Sequence, residues 1–556
     1  MTWGWRKGWL TMAVPLALAV SACGKKEAEA PPPVPDAPVF SVLATTDLRD
    51  AQALEGMVEK ATGVKLRFTY GGTMESTEAV LSGSTQAHAA WFANAKYLLS
   101  DPYGQSRVKL QEKIMLSPIT VGVSATTAKR LGWDNPAVAA KVSWKEITKA
   151  ASEGKLNYAL SNPATSNQGF MALMGVVAAA SNKAEALSAA DVDRGAIAGF
   201  LKGYKLAGDN STYLSEKFIE QQGTQPGQVN SFINYESWLL SLNNGGKLRE
   251  KLVLVYPHEG VSTADYPFML LKDDRRDDYL KVSTYLKTAE AQTWIARQTL
   301  RRPINGEVAA SVGDLFPKEG MRVELPFSPD RQLADGLIDA YLNEFRRPIA
   351  STFVLDTSGS MEGQGRRQQL VQALHYVAGG DSTLTGRLAK LTNREKVWML
   401  PFSDQPWRTT YFEVPAGRPQ ARGVQLQEDS QAKQAVLAEV RAYADALRMT
   451  GGTALYDSVL VALQHMLEQK LKNPNYQYSV VAFTDGENTK GRGLQQFQQA
   501  YAALPEDVRG IPVFMVLFGE AKEADLKALV ATTGGKVFDA RKTPLYAVFK
   551  DIRAYQ

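Results

Sequence analysis

The stretch Val354–Gly365, VLDTSGSMEGQG, changes character within two residues. An apolar run ending at Leu355 gives way to Asp356, Ser358 and Ser360, three oxygen-bearing side chains at alternate positions, with Gly359 between the last two. The run Thr352–Leu355 lacks the apolar/polar alternation of a half-exposed strand, so it reads as the buried centre of a parallel sheet. Asp356–Ser360 then fall at a strand's carboxyl end, where open α/β sheets put their sites.

Two further stretches carry the same signal. MTGGTALYDS supplies Thr453 from a glycine turn ahead of a helix, and YSVVAFTDGENT supplies Asp485 at the end of another buried strand, Tyr478–Thr484. Three hydroxyls and two carboxylates offer only oxygen, which selects Mg²⁺, Mn²⁺ or Ca²⁺ and disfavours zinc or copper. A small, tight set that keeps waters suits Mg²⁺ best.

With all five positions filled, residues 347–556 resemble the von Willebrand factor type A domain and its metal-ion-dependent adhesion site. VFMVLF at Val513–Phe518 and the ending Leu526–Ile552 match the same family. The resemblance implies a doubly wound, Rossmann-like sheet. Ser358, Ser360 and either Thr453 or Asp485 would coordinate directly, with Asp356 acting largely through water. One coordination position would stay open for an Asp or Glu carboxylate of a partner protein.

The first half also alternates short apolar strands with amphipathic helices, as parallel sheets with crossover helices require. It opens with strand Phe40–Ala44, helix Asp47–Thr62 capped by Thr46 or Asp47, and strand Lys65–Tyr70. Gly71–Glu75, SWKEI at Ser143–Ile147 and SNPATSNQGFMAL at Ser161–Leu173 follow. INYES at Ile233–Ser237, LVLVYPHEG at Leu252–Gly260 and RRPIN at Arg301–Asn305 complete the series. In this order they resemble the type 2 periplasmic solute-binding proteins, within them the molybdate and sulfate binders. The expected fold is bilobal, over residues 38–346 with a connecting helix at Asp330–Arg346.

Helices whose N-termini face a cleft present free amides and partial positive charge to an anion. On that argument Thr46, Gly72, Thr73, Thr165 and Ser166 line the cleft and bind a small anionic solute. Two departures from the family stand out: Asp47 beside Thr46, where a carboxylate repels an oxyanion unless it faces away, and Trp91–Phe92 in QAHAAWFANAKYLL.

The N-terminus reads as an address. Arg6 and Lys7 precede the apolar run Trp9–Val20, which is shorter than the ~20 residues a membrane helix needs. Val20-Ser21-Ala22-Cys23 resembles the bacterial lipobox, which implies a signal peptide over 1–22 and a diacylated, palmitate-type anchor on Cys23. Residues 23–37 form a proline-rich tether. The absence of Asp after Cys23 implies the outer membrane, facing the periplasm or the surface.

Composition narrows the functional classes. The chain has 556 residues, 44% of them apolar, enough for several cores. A net charge of +5 without a basic block excludes nucleic acid as a partner. The one cysteine excludes internal disulfides, and His88, His258, His375 and His465 are too scattered for zinc. No phosphate loop, nucleophile elbow or nucleophile–base pair is present, so no residue is nominated as catalytic. The reading is a membrane-anchored binding protein that captures a protein partner through Mg²⁺, with the first domain as sensor or scaffold. The alternative is a receptor that delivers an oxyanion or other small solute to an ABC-type permease.

Overall fold

The structure is a computed structural model. It describes residues 38–556 apart from 182, 184–186, 318–322, 326–329, 520–522 and 544. The predicted signal peptide, Cys23 and the predicted tether lie outside the described residues. Among the described residues no helix is long and apolar enough to cross a membrane.

The first sheet is built from β1 (Phe40–Thr45), β2 (Leu66–Gly71), β3 (Ala89–Trp91) and β4 (Leu110–Lys113). The second contains β5 (Met115–Ser124), β6 (Tyr158–Ser161), β7 (Tyr204–Gly208), β8 (Ser231–Tyr235), β9 (Leu252–Val255) and β10 (Thr263–Ala264). The chain then returns to the first sheet as β11 (Pro267–Leu270) and to the second as β12 (Arg302–Pro303). Strand order is β2-β1-β3-β11-β4 in one lobe and β10-β5-β8-β6-β7 in the other, with β9 and β12 on β5. Three crossings therefore join the lobes: two short ones, Lys113 to Met115 and Ala264 to Pro267, and a longer one through the helices between Leu270 and Arg302.

Tyr266 stands in the second crossing with φ +42°, a left-handed conformation that costs a non-glycine residue about 1–2 kcal/mol. Its surroundings hold it there. The side chain is fully buried, its hydroxyl donates to Asp47 Oδ2 (2.8 Å), and its carbonyl accepts from Trp91 Nε1 (3.0 Å). Arg301 stands 4.9 Å over its ring.

The recurrent sequence pieces of this half meet in space. Glu236 of INYES, fully buried, takes a bidentate pair from Arg302 of RRPIN (2.6 and 2.7 Å) and a bond from Tyr256 of LVLVYPHEG. Ser143 and Glu146 of SWKEI form a reciprocal capping box, and Glu259 accepts from the Trp144 amide (3.1 Å). These motifs are joints between elements. Trp91 and Phe92 are fully buried core, and Asp193 caps the helix Arg194–Leu201.

The third sheet comprises β13 (Ile349–Asp356), β14 (Lys396–Phe402), β15 (Thr410–Glu413), β16 (Gln477–Thr484), β17 (Val513–Leu517) and β18 (Val537–Asp539). Its order is β15-β14-β13-β16-β17-β18, parallel except for β15. Phe353 and Leu355 of β13 join the core on one face, Ala350 and Val354 that on the other. Burial on both faces is why the strand shows no alternation.

One expectation is corrected. The helix predicted from Asp47 starts as a 3₁₀ turn, Thr46–Ala51, with Leu54–Thr62 following as a separate α-helix, and neither Thr46 nor Asp47 caps it. The Asp47 carboxylate is drawn off by the Tyr266 hydroxyl instead. The connecting helix is α-helical over Arg331–Ala340 and finishes as a π-turn, Tyr341–Phe345. Leu333, Leu337 and Tyr341 belong to the same apolar core as Leu388 and Val424 of the second domain. The described residues from Val39 to Gln556 thus form one compact unit.

Candidate functional site

Two sites emerge, one at each end of the third sheet. At the carboxyl end, Asp356 is fully buried; its Oδ1 accepts from the Ser358 amide (2.9 Å) and its Oδ2 from the Thr484 hydroxyl (2.7 Å). Burial pushes its carboxyl up to about 6, opposed by the bonds from Ser358 and Thr484 and reinforced by the nearby charge of Asp485. Ser358 Oγ lies 3.0 Å from Ser360 Oγ, which donates to Asp485 Oδ1 at 3.1 Å. The Thr453 loop is pulled in by backbone: Gly359 N donates to Gly451 O (2.9 Å) and Thr450 N to Thr357 O (2.7 Å).

The donor set fits a hard divalent cation, since hydroxyl and carboxylate oxygens from separate loops converge within hydrogen-bond distance. Among the described residues no group of three or more His, Cys, Asp or Glu side chains is placed to hold a metal ion, so hydroxyls would supply much of any coordination. One participant was missed in the sequence. Arg366 Nη1 sits 2.7 Å from Asp485 Oδ2, a positive charge against the carboxylate a cation would use. It lies just past the quoted stretch, but nothing in its spacing announces that it folds back.

The second site is a cavity of about 700 Å³ between the lobes. Thr46, Gly72, Thr73, Thr165 and Ser166 all line it. Thr73 opens the helix Thr73–Leu81, Thr165 and Ser166 precede Asn167–Ser181, and Ser211 opens Ser211–Thr224, so three helix starts face one space. Thr165 Oγ1 is buried with no hydrogen-bond partner, a polar atom that a bound molecule could satisfy. Asp47 also lines the cavity, but its carboxylate is engaged by Tyr266 and lies 3.9 Å from the buried Arg301. Its charge is thereby partly neutralised.

The sequence did not reveal Arg49, Asp209, Tyr213, Tyr235 and Trp238, which also line the cavity, nor Gly535, Lys536 and Tyr555 from the second domain. The last three come from the start of β18 and from the C-terminal helix Leu545–Tyr555. The chain's last residue anchors that end: Gln556 Nε2 donates to Ser351 Oγ (3.0 Å) and Ser479 Oγ (2.6 Å) near the starts of β13 and β16. Asp356 is five residues further along β13, about 16 Å at ~3.3 Å per residue.

Fold and sites define a chain of two α/β binding domains, a bilobal one with a cleft and a doubly wound one with an oxygen-rich strand-end cluster. Residues 42–300 match the family of bacterial extracellular solute-binding proteins, and residues 352–550 match the von Willebrand factor type A domain. Each match covers one of the two domains, and residues 301–351 fall between them.

Similar solved structures include the sulfate-binding protein from Mycobacterium tuberculosis, at 17% identity over 52% of this chain and 93% of that one, TM-score 0.38. The periplasmic binding protein AfuA from Actinobacillus pleuropneumoniae aligns at 12% identity over 55% and 98%, TM-score 0.42. The ferric binding protein from Campylobacter jejuni aligns at 13% identity over 54% and 97%, TM-score 0.40. No curated protein sequence matches the chain.

Proposed function

We propose that the chain is an extracytoplasmic binding protein, anchored through Cys23, that captures a protein partner through a divalent cation at the strand-end cluster. Asp356, Ser358, Ser360, Thr453 and Asp485 are the residues that would hold the ion, Mg²⁺ by preference. The observation that carries this reading is the hydrogen-bonded chain Ser358–Ser360–Asp485 above the buried Asp356.

When bound, the ion supplies a hard Lewis-acidic position for a carboxylate oxygen. The protein's own part is to hold the hydroxyls converged and to keep Asp356 beneath them, fixed by the Ser358 amide and the Thr484 hydroxyl. The test is capture of envelope proteins by the wild type and by Asp356→Ala, each with Mg²⁺ and with EDTA. Capture that persists in EDTA defeats the reading.

A second reading, solute reception, is favoured by one observation of its own: five residues nominated for anion binding line one cavity with an unsatisfied buried hydroxyl at Thr165. Thermal shift with molybdate, sulfate and phosphate tests it, since a ligand that binds the native state raises the melting temperature.

A further inference from the structure

The solute-binding domain does not close its cavity alone. Across its mouth lies the C-terminal helix of the type A domain, bonded to both lobes. On one side the Tyr555 hydroxyl donates to Asp209 Oδ1 (2.6 Å), and the Tyr555 ring meets Tyr213 edge-on with centroids 4.7 Å apart. On the other side Lys550 Nζ reaches Glu75 Oε2 (2.7 Å) in the helix that begins at Thr73. Lys536 Nζ lies 2.7 Å from the Tyr555 hydroxyl and 3.6 Å from Asp209 Oδ2, while its side chain stays 41% exposed.

The charges facing the space differ in how far they are already satisfied. Asp47 is held by Tyr266, Asp209 by Tyr555 and Lys536, and Lys217 by Glu220 (2.8 Å). Arg49 has no carboxylate partner among the described residues; its guanidinium stands 4.6 Å over the Tyr70 ring. Glu216 is the one lining carboxylate without a cationic partner among the described residues. With Lys536 already set against Asp209, the lining charges not satisfied among themselves are Arg49 and Glu216, and the three helix starts tip that balance toward an anion. The space equals roughly twenty waters at ~30 Å³ each, so the anion need not be a bare oxyanion.

We propose that the cleft is a composite site in which Lys536 and Tyr555 of the type A domain contact a small anion held between the lobes. The type A domain is then part of the solute receptor. Because its C-terminal helix touches both lobes, occupancy of the cleft and the position of that helix are linked, and each biases the other equally. This rests on the reading that the cleft binds a solute.

The test uses the full chain and calorimetric titration with sulfate, inorganic phosphate and glycerol 3-phosphate, which separates free oxyanions from an esterified one. For whichever probe binds the wild type, Lys536→Met should weaken affinity at least tenfold and Tyr555→Phe severalfold. Lys536→Arg, which keeps the charge, should stay within about threefold of the wild type. If a probe binds wild type, Lys536→Met and Tyr555→Phe alike but is lost in Ser166→Ala, the site belongs to the solute-binding domain alone and the composite site is wrong. Binding by none of the three probes overturns both the composite site and the solute reading.

Discussion

The Tyr555 hydroxyl donates to Asp209 Oδ1 at 2.6 Å, joining residues 346 positions apart and fixing the end of one domain against a lobe of the other. Burial pushes the phenol's pKa upward, and the adjacent Asp209 charge reinforces the shift, so Tyr555 remains a donor at any physiological pH. Tyr555→Phe keeps the ring contact with Tyr213 and removes this bond together with the one the hydroxyl accepts from Lys536 Nζ (2.7 Å). A loss of about 1–2 kcal/mol is expected in urea unfolding, the size of a hydrogen bond to a charged group.

In the proposed cation site, Arg366 would compete with the ion for Asp485. Arg366→Gln removes the guanidinium that stands 2.7 Å from Asp485 Oδ2. The Mg²⁺ concentration at half-maximal thermal shift should fall about tenfold, equivalent to about 1.4 kcal/mol. An unchanged midpoint would show that Arg366 does not oppose the ion.

Close approach governs the cleft-side helix Asn167–Ser181. A Cβ on Gly169 would come within 2.0 Å of Ser161 O and 2.9 Å of Pro163 N, both rigid backbone atoms. Gly169→Ala must therefore push the helix start away from β6, displacing Thr165 and Ser166. A destabilisation of about 2–4 kcal/mol is expected, read as a lower urea midpoint at unchanged slope.

Glu236 is fully buried against Arg302. Arg302→Met removes the guanidinium from that carboxylate and leaves it the Tyr256 hydroxyl; breaking a buried pair by removing one partner costs about 3–5 kcal/mol. The double variant Glu236→Gln with Arg302→Met should recover part of the loss. No recovery would mean that Arg302 acts through its stem alone.

Asp339 titrates within reach of experiment. Burial raises its carboxyl to about 6, against bonds from the Gln427 backbone and Asn343 and the charges of Lys433 and Lys390. A raised carboxylate favours the folded state when protonated, so its contribution is fully present below pH ~4 and is lost as pH rises through ~6. Asp339→Asn should flatten that part of the stability profile, with at most about 3 kcal/mol gained over the wild type near pH 7.5. A profile equally steep in both proteins between pH 4 and 7 would assign the dependence to other groups.

What could be read from residues alone divides along physical lines. The strands Thr352–Leu355 and Tyr478–Thr484 announced themselves because burial on both faces leaves an unbroken apolar run. The five candidate oxygen donors stood out because hard-cation chemistry would need such atoms at strand ends. That Asp47 does not cap a helix was hidden because the group that engages its carboxylate, Tyr266, lies 219 residues away. Lys536, Tyr555 and Arg366 were illegible for the same reason: a lone lysine, tyrosine or arginine has no periodicity, and only the fold brings it to a site.

The claim that matters most is capture of a partner through a cation at Asp356, Ser358, Ser360, Thr453 and Asp485. Pull-down from native envelope with wild type and Asp356→Ala, in Mg²⁺ and in EDTA, tests it directly. The account expects one set of partners retained by the wild type in Mg²⁺, released by EDTA and absent with Asp356→Ala. Partners that stay bound in EDTA, or that Asp356→Ala retains in full, would contradict it.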